Sequence, residues 1–224
     1  NRWVQRLPRI VELVERESPH VVAFQEILPH QRQALQLSLP QFRWYGVGRN
    51  RDLSGEQCPV GVGAGIPVLG DTNIWLSGAP DEPGSVGWDA CLPRICTCVW
   101  LRVNQRRVIF ANAHFDHLGK TARLESGRLL GQLLREPRTL LAGDFNCSPR
   151  SEAMQCLRER FLSSIIESRA EKATFHDFGR RSDGLQIDDI LFDKCFQLES
   201  FRVVEDSGPV YYSDHYPLVA EFTF

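Results

Sequence analysis

The polar residues best able to do chemistry in this sequence are Asp144 and Asn146, which stand close together after an apolar run. Leu140 and Leu141 begin that run, and Ser148 starts the turn that follows. Because positions i and i+2 of a strand point to the same side, we expect the two side chains to project together from the end of a strand. A carboxylate beside a carboxamide can bind a divalent cation or hold an attacking water molecule.

Further segments share this layout, with acids, amides or histidines where an apolar run ends. They are 25–26, 114–117, 187–190 and 213–217. Glu26 offers a hard oxygen ligand for Mg²⁺ or Mn²⁺, although a solvated carboxylate at a strand end has the same pattern. Because strand ends are where open α/β sheets hold their reactive groups, the repetition of this layout predicts one shared site.

Two histidines in these segments could act on a proton or on a substrate oxygen. His114 could serve as a general acid, and Glu56 is a candidate to hold it and raise its pKa. His215 could be kept in one tautomer by Asp188. Since strand neighbours alternate in direction, only one of Asp188 and Asp189 should reach the site.

Other motifs carry weaker signals. Asp116 and His117 could orient a loop, and segment 213–215 could form a tight turn, although Pro217 argues against a helix after it. The glycine-rich segment 61–65 is predicted to be a loop between strands, since no helical pattern follows it. The sequence contains no nucleophile elbow, Walker A motif or dinucleotide-binding fingerprint, which argues against a Ser-His-Asp hydrolase and against both nucleotide folds.

Composition narrows the class of protein further. The 224 residues carry a net charge of −2 without a basic cluster, which favours a phosphorylated small molecule, or a nucleic acid held at few phosphates. The 7 cysteines form no CxxC pair, so we expect reduced thiols and no zinc. No apolar run approaches the roughly 20 residues of a membrane span, and no leader opens the sequence. We therefore expect a cytoplasmic protein, and the sequence does not indicate its oligomeric state.

Periodicity predicts a mixed α/β architecture in one domain over residues 1–224. Apolar spacing indicates helices before Ser18 and over 31–39, 121–135 and 151–158. Strands are predicted over 21–24, 42–47, 95–103, 108–113, 139–142, 186–192, 198–204 and 218–222. Residues 78–94 are rich in Gly, Pro and Asp and are expected to form a long surface loop. Because hairpins and crossovers both occur, we expect a pair of mixed sheets flanked by helices.

The ordered motifs resemble those of the endonuclease/exonuclease/phosphatase superfamily, which has a DNase I-like fold. The most specific matches are Gly143-Asp144-Phe145-Asn146 and the segment 213–217, and residues 75–97 are similar to a bacterial-type branch. The resemblance implies a four-layer α/β sandwich of two packed mixed sheets. It also implies a divalent-metal-dependent phosphoesterase, first a phosphodiesterase or nuclease. A phosphomonoesterase acting on a nucleotide, sugar phosphate or inositol phosphate is the alternative, and an inactive phosphate-binding module is a third hypothesis.

The resemblance also implies roles for the residues around the cation. Glu26 would match the ligand for Mg²⁺ (or Mn²⁺), and Asp214 would assist beside it. Asp144 and Asn146 would match the pair that orients the attacking water and contacts the phosphate.

The remaining implied roles concern the phosphate and the leaving group. His215, oriented by Asp188, would bond the scissile phosphate. Arg94 would match a phosphate-contacting arginine, although it could equally be a surface residue of a strand. His114, paired with Glu56, would match the general acid.

The sequence departs from the family pattern at its beginning. Family members open with a strand that ends in an asparagine beside the metal glutamate, whereas Asn1-Arg2-Trp3 already leads into the first predicted helix. The opening strand is thus absent from the sequence as given, and if the protein itself lacks it, we expect the sheet to have a gap.

Overall fold

The computed structural model describes residues 2–206 and 209–224. Its helices are α1 (Trp3–Glu17), α2 (Pro29–Ser38), α3 (Lys120–Leu133), α4 (Glu152–Arg158) and α5 (Ser164–Glu167). Its strands are β1 (Val21–Ala23), β2 (Phe42–Tyr45), β3 (Val60–Gly63), β4 (Val68–Trp75), β5 (Ile95–Val103), β6 (Arg106–His114), β7 (Thr139–Asp144), β8 (Phe161–Ser163), β9 (Asp188–Asp193), β10 (Gln197–Val203) and β11 (Leu218–Thr223).

A six-stranded mixed sheet with the order β4-β5-β6-β7-β9-β8 forms the centre of the fold. Strands β6 and β7 are parallel, and their register sets His114 opposite Asp144. Strands β7 and β9 are antiparallel, and their register sets Asp144 opposite Asp188. Three polar residues from distant parts of the chain therefore form one row across neighbouring strands.

Two apolar cores cover the two faces of this sheet. On one face, Leu141 and Phe145 pack with Leu130 of α3 and Leu157 of α4. On the other face, Phe110 and further sheet residues pack against β3 and β11. A third cluster fixes α1 and α2 to the outer side of β1 and β2. The result is the predicted sequence of layers: helices, six-stranded sheet, a second layer of strands, and helices again.

The second layer of strands is divided. One part is an antiparallel sheet with the order β1-β3-β2, and the other is the antiparallel pair β10-β11. Within the described residues no strand joins the two parts, so this layer is neither continuous nor mixed, unlike the predicted second sheet. Helix α1 connects them instead. It packs against β1 and β2, its Glu17 binds Arg202 of β10, and its Arg9 forms an ion pair at 2.9 Å with Asp206, which follows β10.

The glycine-rich segment 61–65 was predicted to be a loop between strands, and this prediction is wrong for residues 61–63, whereas 64–65 form a turn. Its first residues belong to β3, the central strand of the three-stranded sheet. A Cβ on Gly61 would lie 2.9 Å from Val22 Cγ1 and 3.2 Å from the Trp44 ring, so glycine permits the close approach of those side chains. Sequence patterning also missed β4, β8 and α5, whereas Ser151 caps α4 as predicted, accepting a hydrogen bond from Met154 N at 3.4 Å.

In the part of the chain that the structure describes, none of the helices has both the length and the apolar character that crossing a bilayer requires.

Leucine-to-alanine substitutions test the position of the core. Leu141 of β7 is fully buried, so Leu141→Ala should lower the free energy of unfolding by about 2–5 kcal/mol. The same substitution at Leu133, which is 48% exposed on α3, should change it by less than about 0.5 kcal/mol. Urea denaturation followed by circular dichroism measures both values, and equal effects would contradict the assigned core.

Candidate active site

The row across β6, β7 and β9 is completed by His215, which lies in the loop before β11. Asp144 Oδ2 lies 3.5 Å from His114 Nε2 and 3.9 Å from His215 Nε2. Three potential metal-ligand atoms lie within 4.8 Å of one another, one each from Asp144, Asp188 and His215. Residues separated by up to 101 positions (114 to 215) thus meet in one place, as the strand-end motifs predicted.

Asp188 and His215 form a charged pair. His215 Nδ1 lies 2.8 Å from Asp188 Oδ2, and Thr174 Oγ1 donates to the same carboxylate oxygen at 2.6 Å. Burial alone lowers the pKa of His215, but the carboxylates of Asp188 and Asp144 outweigh it and raise the pKa to about 9. The imidazole is therefore protonated at neutral pH, with Nδ1 donating to Asp188. This is the contact that the sequence predicted. Asp189 points away and accepts a hydrogen bond from Ser163.

Asp144 and Asn146 lie together, but not by strand alternation. Strand β7 ends at Asp144, and Asn146 has a left-handed backbone with φ of 49°. This turn lets Asn146 N donate to Asp144 Oδ1 at 2.8 Å, while Asn146 Nδ2 donates to the Phe115 carbonyl at 3.0 Å. Burial, reinforced by the neighbouring Asp188, raises the pKa of Asp144 to about 8.

His114 lies in a different electrostatic environment from the one predicted. Glu56 pairs with Arg49 at 2.5 Å, and within the described ranges it forms no hydrogen bond with His114. The charged group nearest to His114 is Arg94, whose guanidinium lies 3.1 Å from Nε2, closer than the carboxylate of Asp144 at 3.5 Å. Burial and this cation lower the pKa of His114 well below its usual range, so the ring is neutral. The prediction of a carboxylate that raises this pKa is wrong, because an arginine occupies that position.

Arg94 is buried, so the alternative of a surface strand residue is excluded. Its Nε donates to Asp116 at 3.2 Å, and a terminal nitrogen lies 2.7 Å from His117 Nδ1. Asp116 also accepts hydrogen bonds from the amides of Leu118 and Gly119, which hold the turn into α3. Asp116 thus holds the loop, as predicted, and also positions Arg94.

Glu26 lies just beyond β1 in a left-handed conformation with φ of 59°. Its carboxylate is 64% exposed and lies 4.0 Å from His114 Nε2. The segment is held by Gln25, which donates to Asn112 at 2.6 Å, and by backbone pairing between Ile27 and Gln57. The pKa of Glu26 is raised, mainly by partial burial and to a smaller extent by the negative charges of Glu56 and Asp214.

Glu26 lies between two cavities of very different size. A small one of about 10 Å³ is bordered by Arg49, Glu56, Arg94 and His114. A large one of about 260 Å³ is lined by Asp144, Asp188, Asp214 and His215, whereas the candidates His114 and Arg94 border the small one. The lining residues of the large cavity are Arg6, Gln25, Glu26, Ile27, Gln31, Asp144, Phe178, Asp188, Ser213, Asp214 and His215.

The acidic lining of the large cavity fits a hard divalent cation. Carboxylates converge here, and the raised pKa values of Glu26 and Asp144 reflect burial and uncompensated negative charge. The tightest cluster is Asp144, Asp188 and His215 rather than the predicted pair Glu26 and Asp214. However, a protonated His215 has no lone pair for a metal, which leaves oxygen ligands as the suitable donors.

Sequence patterns did not identify Arg6, Phe178 or Arg49 as lining these cavities. A signal for Arg6 exists: it lies three residues after Trp3 and four before the buried Ile10, on the inward stripe of α1. A charged residue within such a stripe indicates a buried polar environment.

Comparison with known proteins agrees with this geometry. A model of the endonuclease/exonuclease/phosphatase family matches residues 1–215. The mannosyl-6-phosphatase Bt3783 of Bacteroides thetaiotaomicron VPI-5482 is 28% identical, with a TM-score of 0.89 over 99% of this chain and 92% of that chain. An endonuclease/exonuclease/phosphatase from Bacteroides vulgatus is 28% identical, with a TM-score of 0.90 over 99% and 91% of the two chains. Uncharacterized protein L388 of Acanthamoeba polyphaga mimivirus is 29% identical over 258 residues, covering 99% of this chain and 92% of that protein.

The charge of His215 depends on Asp188 and can be titrated. In metal-free protein, Asp188→Asn should lower the His215 pKa from its value of about 9 by about 1 to 3 pH units, because it removes the adjacent charge. NMR titration of the imidazole measures this, with His215→Gln to assign the resonance. Asp183→Asn, an exposed carboxylate, should leave the value unchanged. The folded-state pKa exceeds the unfolded one, so the stabilisation is complete below about pH 6.5 and is lost as pH rises through about 9.

Proposed function

Because this chain belongs to the endonuclease/exonuclease/phosphatase family, whose members are phosphoesterase hydrolases, we propose that it is a divalent-metal-dependent phosphomonoesterase acting on a sugar phosphate. Residues 1–224 would form one catalytic domain. The observation that carries the proposal is the unequal size of the two cavities beside Glu26.

The unequal cavities favour a monoester over the diester that the motifs first suggested. A phosphodiester has two ester arms, and each needs room beside the phosphate. The cavity of about 10 Å³ next to Arg94 and His114 has space for roughly one water molecule. The cavity of about 260 Å³ has space for one organic group. The mannosyl-6-phosphatase relative supports a sugar as that group.

Glu26 and Asp214 would hold Mg²⁺ or Mn²⁺, which when bound neutralises charge on the phosphate and on the leaving oxygen. Asp144 would align the attacking water and accept its proton at Oδ2. As the water oxygen bonds to phosphorus, the bond from phosphorus to the sugar oxygen breaks, and that oxygen takes up a proton from solvent. The hydrogen bond from Asn146 N, which fixes Oδ1 at 2.8 Å, supports this role of Asp144, and a bound cation would favour the ionised carboxylate that the role requires.

His215, Asn146 and Arg94 would supply positive charge and hydrogen bonds to the phosphate oxygens. The imidazolium of His215 is held by Asp188, so its Nε2 proton faces the cavity. Such pre-positioned donors strengthen their interactions as negative charge builds up in the transition state. The neutral His114 would form a hydrogen bond rather than donate a proton. Its expected role as a protonated general acid is thereby revised.

Substitution of the proposed base tests the mechanism. Asp144→Asn should lower kcat for aryl phosphate hydrolysis by about 10²–10⁴-fold, since the amide cannot accept the proton. Asp81→Asn, in the exposed loop, should retain wild-type kcat. Thermal unfolding of both variants checks that the fold persists. Wild-type turnover by folded Asp144→Asn would refute the assignment.

A comparison of substrates tests the choice of monoester. With Mg²⁺, we expect kcat/KM for a hexose 6-phosphate to exceed that for bis(p-nitrophenyl) phosphate by at least about 100-fold, because the site has only one cavity large enough to bind an organic group. EDTA should abolish turnover, and added Mg²⁺ or Mn²⁺ should restore it. A preference for the diester, or for an oligonucleotide, would contradict the monoesterase assignment. Activity that is insensitive to EDTA would contradict the metal requirement.

A further inference from the structure

The large cavity has a second set of lining residues that the proposed chemistry does not use. Arg6 comes from α1, Gln31 from α2 and Phe178 from the loop before β9. They share the cavity with Glu26 and His215, so whatever is joined to the phosphate must lie near them.

Arg6 is positioned by two aromatic rings but has no hydrogen-bonding partner among the described residues. Its guanidinium carbon lies 5.7 Å from the ring centroids of both Trp3 and Phe178. In residues 2–206 and 209–224 its side chain forms no hydrogen bond or ion pair, and its Nε is buried without a partner. On the same helix, by contrast, Arg9 pairs with Asp206 and Arg16 pairs with Glu17. Because an unpaired buried donor costs about 1–3 kcal/mol, Arg6 is suited to bind a ligand.

Phe178 is held in place by an ordered loop. Asp177 and Phe178 both have left-handed backbones, with φ of 49° and 53°, a conformation that costs about 1–3 kcal/mol per residue when strained. His176 fixes this turn, since its Nδ1 accepts a hydrogen bond from Gly179 N at 2.9 Å and its ring stacks on Tyr216 at 3.9 Å. The strain is thus offset by contacts that present an aromatic ring at the cavity.

His176 also connects this loop to the catalytic segment. Its backbone N donates to the Asp214 carbonyl at 2.9 Å. Phe178 is therefore positioned relative to Asp214 by a short chain of hydrogen bonds, and its place in the cavity is defined with respect to the proposed cation.

We propose that Arg6 and Phe178 form the binding site for the sugar ring of the substrate, an inference that rests on the proposed monoesterase activity. The Phe178 ring packs on the C–H face of the sugar, and Arg6 and Gln31 donate hydrogen bonds to its hydroxyl oxygens. The carboxylates that line the same cavity disfavour a second anionic group, because like charges in a partly buried site repel. A neutral polyhydroxylated leaving group can accept hydrogen bonds from Arg6 and Gln31 and donate hydrogen bonds to the carboxylates of the cavity.

Kinetics of Arg6→Met with two substrates test this site. Methionine keeps an apolar side chain between the two aromatic rings and removes the donors. We expect KM for a hexose 6-phosphate to rise by at least about 10-fold with kcat little changed, the loss expected for one or two hydrogen bonds. For p-nitrophenyl phosphate, which lacks sugar hydroxyls, kcat/KM should fall at least about 3-fold less than for the sugar phosphate. Arg16→Met on the same helix should leave both substrates unchanged, and Arg6→Lys should restore part of the sugar-phosphate affinity.

The outcomes separate failure of this inference from failure of the proposed function. If the wild-type protein hydrolyses neither substrate, the monoesterase assignment fails. If Arg6→Met lowers turnover of both substrates equally, Arg6 positions the catalytic carboxylates and the sugar site is refuted. If Arg6→Met lowers kcat/KM more for a hexose bisphosphate than for the monophosphate, Arg6 binds a second anion and the assignment of a neutral ring is wrong. Should Arg6→Met fail to fold, Phe178→Leu is measured in its place, with the same loss expected for the sugar phosphate alone.

Discussion

The pairing of β6, β7 and β9 is the constraint on which the rest of this structure depends. Its register sets His114, Asp144 and Asp188 side by side, on strands separated by long stretches of chain. A one-residue slip in either pairing would turn these side chains to the opposite face of the sheet. The two apolar cores prevent that slip, because it would also bring buried leucines and phenylalanines out of their packing. The packing of the two cores therefore also maintains the geometry of the site.

The acidic groups of the site repel one another, and the two nearby histidines differ in whether they compensate this negative charge. His215 carries a positive charge because Asp188 and Asp144 stabilise it, whereas His114, beside Arg94, is neutral. Two imidazoles that both lie within 4 Å of the Asp144 carboxylate thus have opposite protonation states. The remaining negative charge at Glu26 is compensated by no nearby ion pair among the described residues. This division separates a cationic side of the site, which would suit a phosphate, from an acidic side, which would suit a metal ion.

The helical and loop surroundings extend the site beyond its strand ends. Helix α1 spans the two separate parts of the second strand layer and brings Arg6 to the cavity. The loop that carries Phe178 is tied to the Asp214 segment through His176. Elements that complete the fold therefore also line the cavity proposed to hold the leaving group.

The sequence by itself determined the fold class, most helices and strands, and the residues that meet at the strand ends. These follow from local periodicity and from polar residues that interrupt apolar runs, as at Asp144 and Asp188. Only the tertiary structure decided which partners those residues have. Glu56 pairs with Arg49 rather than with His114, and Gly61 lies in a strand because Val22 and Trp44 approach it closely. The physical reason is that pKa values, ion pairs and close packing depend on distances between residues far apart in the chain, and those distances exist only after the sheets have formed.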